Sequence, residues 1–221
     1  MAERNKAAPT GPARASDEQV RALLDRYKCP VAFHEVRTRF LGNIATPSVA
    51  ASPIKMIQDL WGGELPVFES IDAANELIGA LIMGLWNRLT RHQDRNSPFR
   101  LNRIEPAPTR EGLADLSRMR MQEIDGFVAG LFGREERIDL PERAHRALDD
   151  LAKMRALFVA VQDVATDETK AATLRDVQAT LRNLREMTKH AEHAMHTVVL
   201  SCTRARKQTL SASSLGNASF H

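Results

Sequence analysis

The stretch LRDVQATLRNLREMTKHAEHAMHTVVLSC, residues 174–202, puts Leu174, Val177, Leu181, Leu184, Thr188, Ala191, Met195, Val198 and Cys202 at alternating spacings of three and four. That is the a and d pattern of a helix with one buried seam, kept up for four heptads. Upstream, Leu151, Met154, Phe158, Val161 and Ala165 repeat the alternation, and TDETK (166–170) supplies a polar turn between the two stripes. Two long helices packed as an antiparallel hairpin are predicted.

Residues 112–132 carry Leu113, Leu116, Met119 or Met121, Ile124, Phe127, Val128 and Leu131 at helical spacing and stop at Gly133, a helix-ending residue. Three prolines and no periodicity make 96–110 a loop and the best internal boundary. NELIGALIMGLWNRL (75–89) is apolar almost all round, as a helix surrounded by others must be. Gly79, Ala80 and Gly84 within it read as points of close helix approach, since glycine in a helix costs about 0.5–1 kcal/mol against alanine.

Toward the N-terminus, Ser16 before DEQ reads as an N-cap, followed by the face Val20, Leu23, Leu24, Tyr27 as far as Pro30. Residues 31–45 form a second helix through Phe33, Val36, Phe40, Leu41 and Ile44. Pro53 opens a short third helix (Ile54, Ile57, Leu60, Trp61) that Gly62 and Gly63 end, and Ser70 or Asp72 caps the next. No segment alternates with period two. The expectation is an all-α chain, a multihelical bundle with a long C-terminal antiparallel hairpin: a disordered basic tail over 1–16, a helical domain over 17–206, and a disordered Ser-rich tail over 207–221.

The net charge of +3 sits at the ends. Residues 1–16 hold three basic side chains and one acidic one, and 201–221 hold Arg204, Arg206 and Lys207 with no acid, so the ends carry +5 and the body −2. A slightly acidic body lacks the basic face from which phosphate binding draws most of its affinity, which leaves nucleic-acid association to the tails. The longest apolar run, Leu77–Trp86, is ten residues, short of the roughly 18 a membrane span needs. Cys29 and Cys202 stand alone without a CxxC partner, as expected in a reducing cytoplasm.

Glu186, His190 and His193 lie at i, i+4 and i+7 and share one helix face, with His196 beyond them, so they are weak candidates for a metal site. In the heptad register all four point away from the apolar seam. His34, His92 and His145 read as packing or surface residues, and Asp149-Asp150 and Glu135-Glu136 as solvated charge, because adjacent helical positions diverge by about 100°. Trp61, Trp86, Phe40 and Phe68 read as core. The chain has no GxSxG, HExxH, GxxxxGK[ST] or GxGxxG.

Three blocks within residues 20–133 carry a family resemblance: FHEVRTRFLGNIATPSVAASPIKMIQDLWGGELPVFES (33–70), LIMGLWNRLT (81–90) with Asn87, and QEIDGFVAGLFG (122–133) with Gly126, Phe127 and Gly130. In order and composition they resemble the YecA/YgfB-like family of uncharacterised bacterial proteins. The resemblance implies a multihelical bacterial cytoplasmic fold, with no agreed activity and no catalytic residue or cofactor to transfer. The cysteine-rich metal-binding tail of longer members has no counterpart here.

The leading expectation is a non-enzymatic protein-interaction or regulatory module, acting on a protein partner or on itself. A metal-binding protein or metal-dependent enzyme using the histidine face comes second, and nucleic-acid association through the basic tails third.

Overall fold

A computed structural model describes residues 15–48, 52–135 and 137–217, with side chains through 211. The expected tail over 1–16 lies outside the described residues except for Ala15 and Ser16. The described residues form seven helices and no strand: α1 (Asp17–Arg26), α2 (Phe33–Ala45), α3 (Pro53–Leu60), α4 (Ile71–Gly79), α5 (Arg110–Phe132), α6 (Glu142–Thr166) and α7 (Leu174–Asn217). No helix is long and apolar enough to cross a membrane.

The local rules behind the boundaries are visible. Ser16 and Gln19 exchange side-chain to main-chain hydrogen bonds in a capping box, and Ser52, Ser70 and Thr109 cap α3, α4 and α5. Gly62, Gly63 and Gly133 adopt positive φ just past helix ends. Arg110 caps α6 from a distance, donating to the carbonyl oxygens of Ala165 (3.0 Å), Val164 (3.1 Å) and Lys170 (2.6 Å).

The most enclosed element is α2, not the stretch 75–89 expected at the centre. From Thr38 onward every residue of α2 except Arg39 is buried. It crosses α5 at backbone distance: a Cβ on Gly42 would stand 2.1 Å from the Phe127 carbonyl oxygen, and one on Gly130 1.9 Å from that of Arg39. Gly126 completes the crossing against Thr38 and Glu35. Of the glycines expected to mark close approach, Gly84 meets Ala15, whereas Gly79 faces open space.

Beyond Gly79, α4 runs on as a π-helical segment (Ala80–Trp86) and a last α-turn (Asn87–Leu89). Leu77, Leu81, Leu85 and Leu89 are all buried at a uniform spacing of four. In a plain α-helix that spacing drifts about 40° per step, and the wider π turn offsets the drift. Met83 points outward and is 57% exposed, so this helix is covered on one side only.

The stretch 96–110 is irregular but does not divide the chain. Phe99 and Leu101 are buried in the same core as residues from both flanks. The main chain is held by two buried carboxylates: Glu192 accepts from the Leu101 N–H (3.0 Å) and Glu123 from the Asn102 N–H (2.7 Å).

The expected hairpin is present. α6 and α7 pack along each other, and Val177, Leu181, Leu184, Ala191, Met195, Val198 and Cys202 are buried on the seam. Leu174, at the turn, is 60% exposed. The same seam also packs on α2 and α5, so the body covers it. α7 continues to Asn217, eleven residues into the stretch expected to be unfolded from 207. Part of the reason is Arg206, which turns inward and donates to the carbonyl oxygens of Ile44 and Thr46 (both 3.2 Å), tying α7 to the end of α2.

Candidate functional site

Along the hairpin, α6 and α7 leave a furrow of about 470 Å³ between them. From α6 it takes Arg143, Arg146, Ala147, Asp150, Lys153, Met154 and Leu157, and from α7 Met187, His190, His193, Ala194 and Thr197. Each set repeats at three and four, so each is one stripe of its helix, and antiparallel packing sets the stripes side by side. Along α6 the furrow is about 20 Å long at 1.5 Å per residue.

Its floor is apolar and its rim basic. Ala147 and Ala194 are buried at the bottom, Met154 and Met187 are half-buried, and Leu157 is 52% exposed. Methionine side chains are flexible and polarizable and adapt to varied apolar partners. Arg143, Arg146 and Lys153 stand over this floor with one acid, Asp150. Lys153 pairs with Asp150 (3.1 Å) and Arg146 reaches Glu142 (3.7 Å), but both pairs are solvated and weakly held.

The histidine face is divided by this geometry. His190 and His193 are exposed on the furrow's rim, whereas Glu186 turns away to Lys189, 2.7 Å off, whose ammonium draws its carboxyl below the usual range. His196 leaves the face altogether and is half-buried beside the Arg95 main chain; burial holds its imidazole below the usual range. Among the described residues no group of three or more His, Cys, Asp or Glu side chains is placed to hold a metal ion, so Glu186, His190 and His193 do not assemble as a ligand set.

The other single residues have structural partners. His34 bonds to Gln122 (2.8 Å), and His92 is buried with Nδ1 donating to the Ser97 carbonyl (2.7 Å). Trp61 and Trp86 donate to Tyr27 O (2.9 Å) and Asn43 Oδ1 (3.3 Å). His145 lies on the opposite flank of α6, beside a two-point ion pair between Arg155 and Asp125.

Sequence reading missed the buried charges of α5. Arg120 and Glu123 form an ion pair inside the protein, with Arg120 also donating to Asn102 O (2.7 Å) and Thr188 Oγ1 (3.1 Å). Burial pushes the Glu123 carboxyl up, opposed by Arg120 and the Asn102 N–H. The signal was a charged pair at i, i+3 on the face of Ser117, Ile124 and Phe127.

Comparison with protein-family models, curated proteins and solved structures found no match to the chain.

Proposed function

We propose that the protein is a non-enzymatic helical module that works by protein contacts, taking an acidic amphipathic helix of a partner into the furrow between α6 and α7. One observation carries this: an apolar floor of half-buried Met154 and Met187 and exposed Leu157 lies in a furrow that is also lined by three basic side chains and one acid. A straight furrow of about 20 Å matches roughly four turns of helix, and apolar anchors at i, i+3, i+4 and i+7 fit such a floor. Acidic side chains flanking those anchors would meet Arg143, Arg146 and Lys153.

A second copy of the chain fits less well. A two-fold axis would set each basic rim against its own image. We place the work in the cytoplasm, where Cys29 and Cys202, both free, stay thiols.

The test compares immobilised wild type with Leu157→Lys and Met187→Lys, each checked for folding by circular dichroism. The expected result is a partner held by wild type and lost from both variants, whose bound segment maps to an acidic helix. The same proteins held by all three would count against the furrow. A solution mass of two chains that Leu157→Lys reduces to one would reassign it to a second copy.

A further inference from the structure

The 3-10 turn Thr90–Gln93 packs on α7, and further along the same segment the chain is fastened to that helix by Glu192, which accepts from the Leu101 N–H (3.0 Å) and from Arg100 (2.6 Å). Two histidines meet in this crossing. His92, from the turn, is buried with Nδ1 donating to the Ser97 carbonyl (2.7 Å) and its ring edge-on to Phe99 at 5.2 Å. His196 stands one turn after Glu192 on α7, near enough for its charge to act on His92.

His196 is the anomaly of the pair. Both its ring nitrogens are buried and neither is hydrogen-bonded; the Arg95 main chain lies beside the ring without closing a bond. A neutral imidazole has one donor and one acceptor to satisfy, and the charged form has two donors. Enclosed without partners, the ring is kept neutral by desolvation, and unpaired buried polar atoms of this kind are rare in folded proteins.

The surroundings oppose any further positive charge. Arg37 of α2, which lies over the Phe99 ring at 5.1 Å, and Arg91 act on His92, while Arg100 and His193 act on His196. The carboxylates of the segment and its neighbours are committed elsewhere: Glu192 to Arg100 and the Leu101 N–H, Glu123 to Arg120 and the Asn102 N–H, and exposed Asp94 to the Asn96 N–H (2.8 Å).

We propose that residues 92–101 form an acid-opened latch on α7: when His196 and His92 take up protons, the segment lifts off Glu192 and bares Phe99 and Leu101 while the helices stay folded. Lifting gives each imidazolium the water that the closed crossing denies it. Closure is therefore favoured above about pH 6.5, where both rings are neutral in either form, and weakens as pH falls below that value. The latch is independent of the hairpin furrow, which neither histidine lines.

The test is native-state hydrogen exchange of the full chain at pH 7.5 and 5.5, read at the Leu101 amide as a protection factor, which removes the pH dependence of exchange itself. An imidazole kept neutral in the closed form and titrating near 6.5 in the open one multiplies the open population by about ten over this range. Protection at Leu101 is expected to fall about a hundredfold in wild type, about tenfold in His196→Gln or His92→Gln, and not at all in the double variant, each checked for folding by circular dichroism. At both pH values Leu101 should exchange ahead of Phe40 and Leu41 of α2, which marks the opening as local. Equal protection at the three amides would mean exchange by global unfolding and overturns the latch. So does a fall that persists in the double variant, which assigns the opening to the carboxylates Glu192 and Glu123. The imidazole proton resonances of wild type give a check that needs no variant: a His92 or His196 ring that titrates near 6.5 while Leu101 stays protected overturns the latch as well.

Discussion

Gly130 rests its α-carbon on the main chain of Arg39, so that a Cβ would stand 1.9 Å from the Arg39 carbonyl oxygen. The obstacle is backbone of α2, which no rotamer change can clear. Gly130→Ala is expected to cost about 2–3 kcal/mol in urea denaturation, near the upper end for overpacking a core. Gly79→Ala is the control. With nothing within 4 Å of the added methyl, it should stabilise by about 0.5–1 kcal/mol through helix propensity.

Arg120 and Glu123 tie α5 to both the loop and α7, and removing one of them strands the other. Glu123→Ala should lose about 3–5 kcal/mol, the usual cost of breaking a buried ion pair from one side. Thr188→Val, which removes a single bond to Arg120, should lose about 1–2 kcal/mol. Replacing the pair together by Met and Leu should recover most of the loss, because the cost lies in the unpaired charge.

Glu192 clamps the irregular stretch through the Leu101 N–H and Arg100 (2.6 Å). Glu192→Ala should open this segment locally without unfolding the helices. Limited trypsin digestion checks it: cleavage after Arg100 or Arg103 should quicken several-fold, while the circular dichroism spectrum stays that of wild type.

Burial lowers the His92 pKa from the ordinary 6.5, and Arg91, Arg37 and His196 press it down further against the bond to Ser97. The unfolded chain therefore binds the proton more readily than the folded one. The associated stability is present above about pH 6.5 and is lost as pH falls through the folded value. The melting temperature should drop between pH 7.5 and 5.5 in wild type, and the drop should be smaller in His92→Gln.

Much of this architecture was legible because helices bury one stripe, and the apolar stripes of α1, α2, α5, α7 and the part of α6 from Leu151 onward stand in the residue order, whereas buried Ala144 and Ala147 at the start of α6 carry too little apolar signal. The caps at Ser16, Ser70 and Gly133 followed from side-chain and φ chemistry alone. What could not be read depends on who lies opposite. The all-apolar look of 75–89 concealed a one-sided helix, because nothing in the order of residues reveals a π turn. The close crossing fell on Gly42, Gly126 and Gly130, and the order of residues does not say which glycines meet another helix. The histidine face was visible as a stripe, but Met154 and Leu157, which turn part of it into the rim of a furrow, come from the other arm of the hairpin. Arg206 looked like a tail charge until α2 ended within its reach.

The furrow is tested most directly by titrating the protein with a fluorescein-labelled helical peptide of about four turns, carrying leucines at i, i+3, i+4 and i+7 and glutamates on the flanks. Wild type is expected to bind it, and Leu157→Lys to bind at least tenfold more weakly, as the loss of one buried leucine contact implies. A peptide that does not bind, or that binds wild type and Leu157→Lys alike, would contradict the assignment of the furrow as a helix-docking surface.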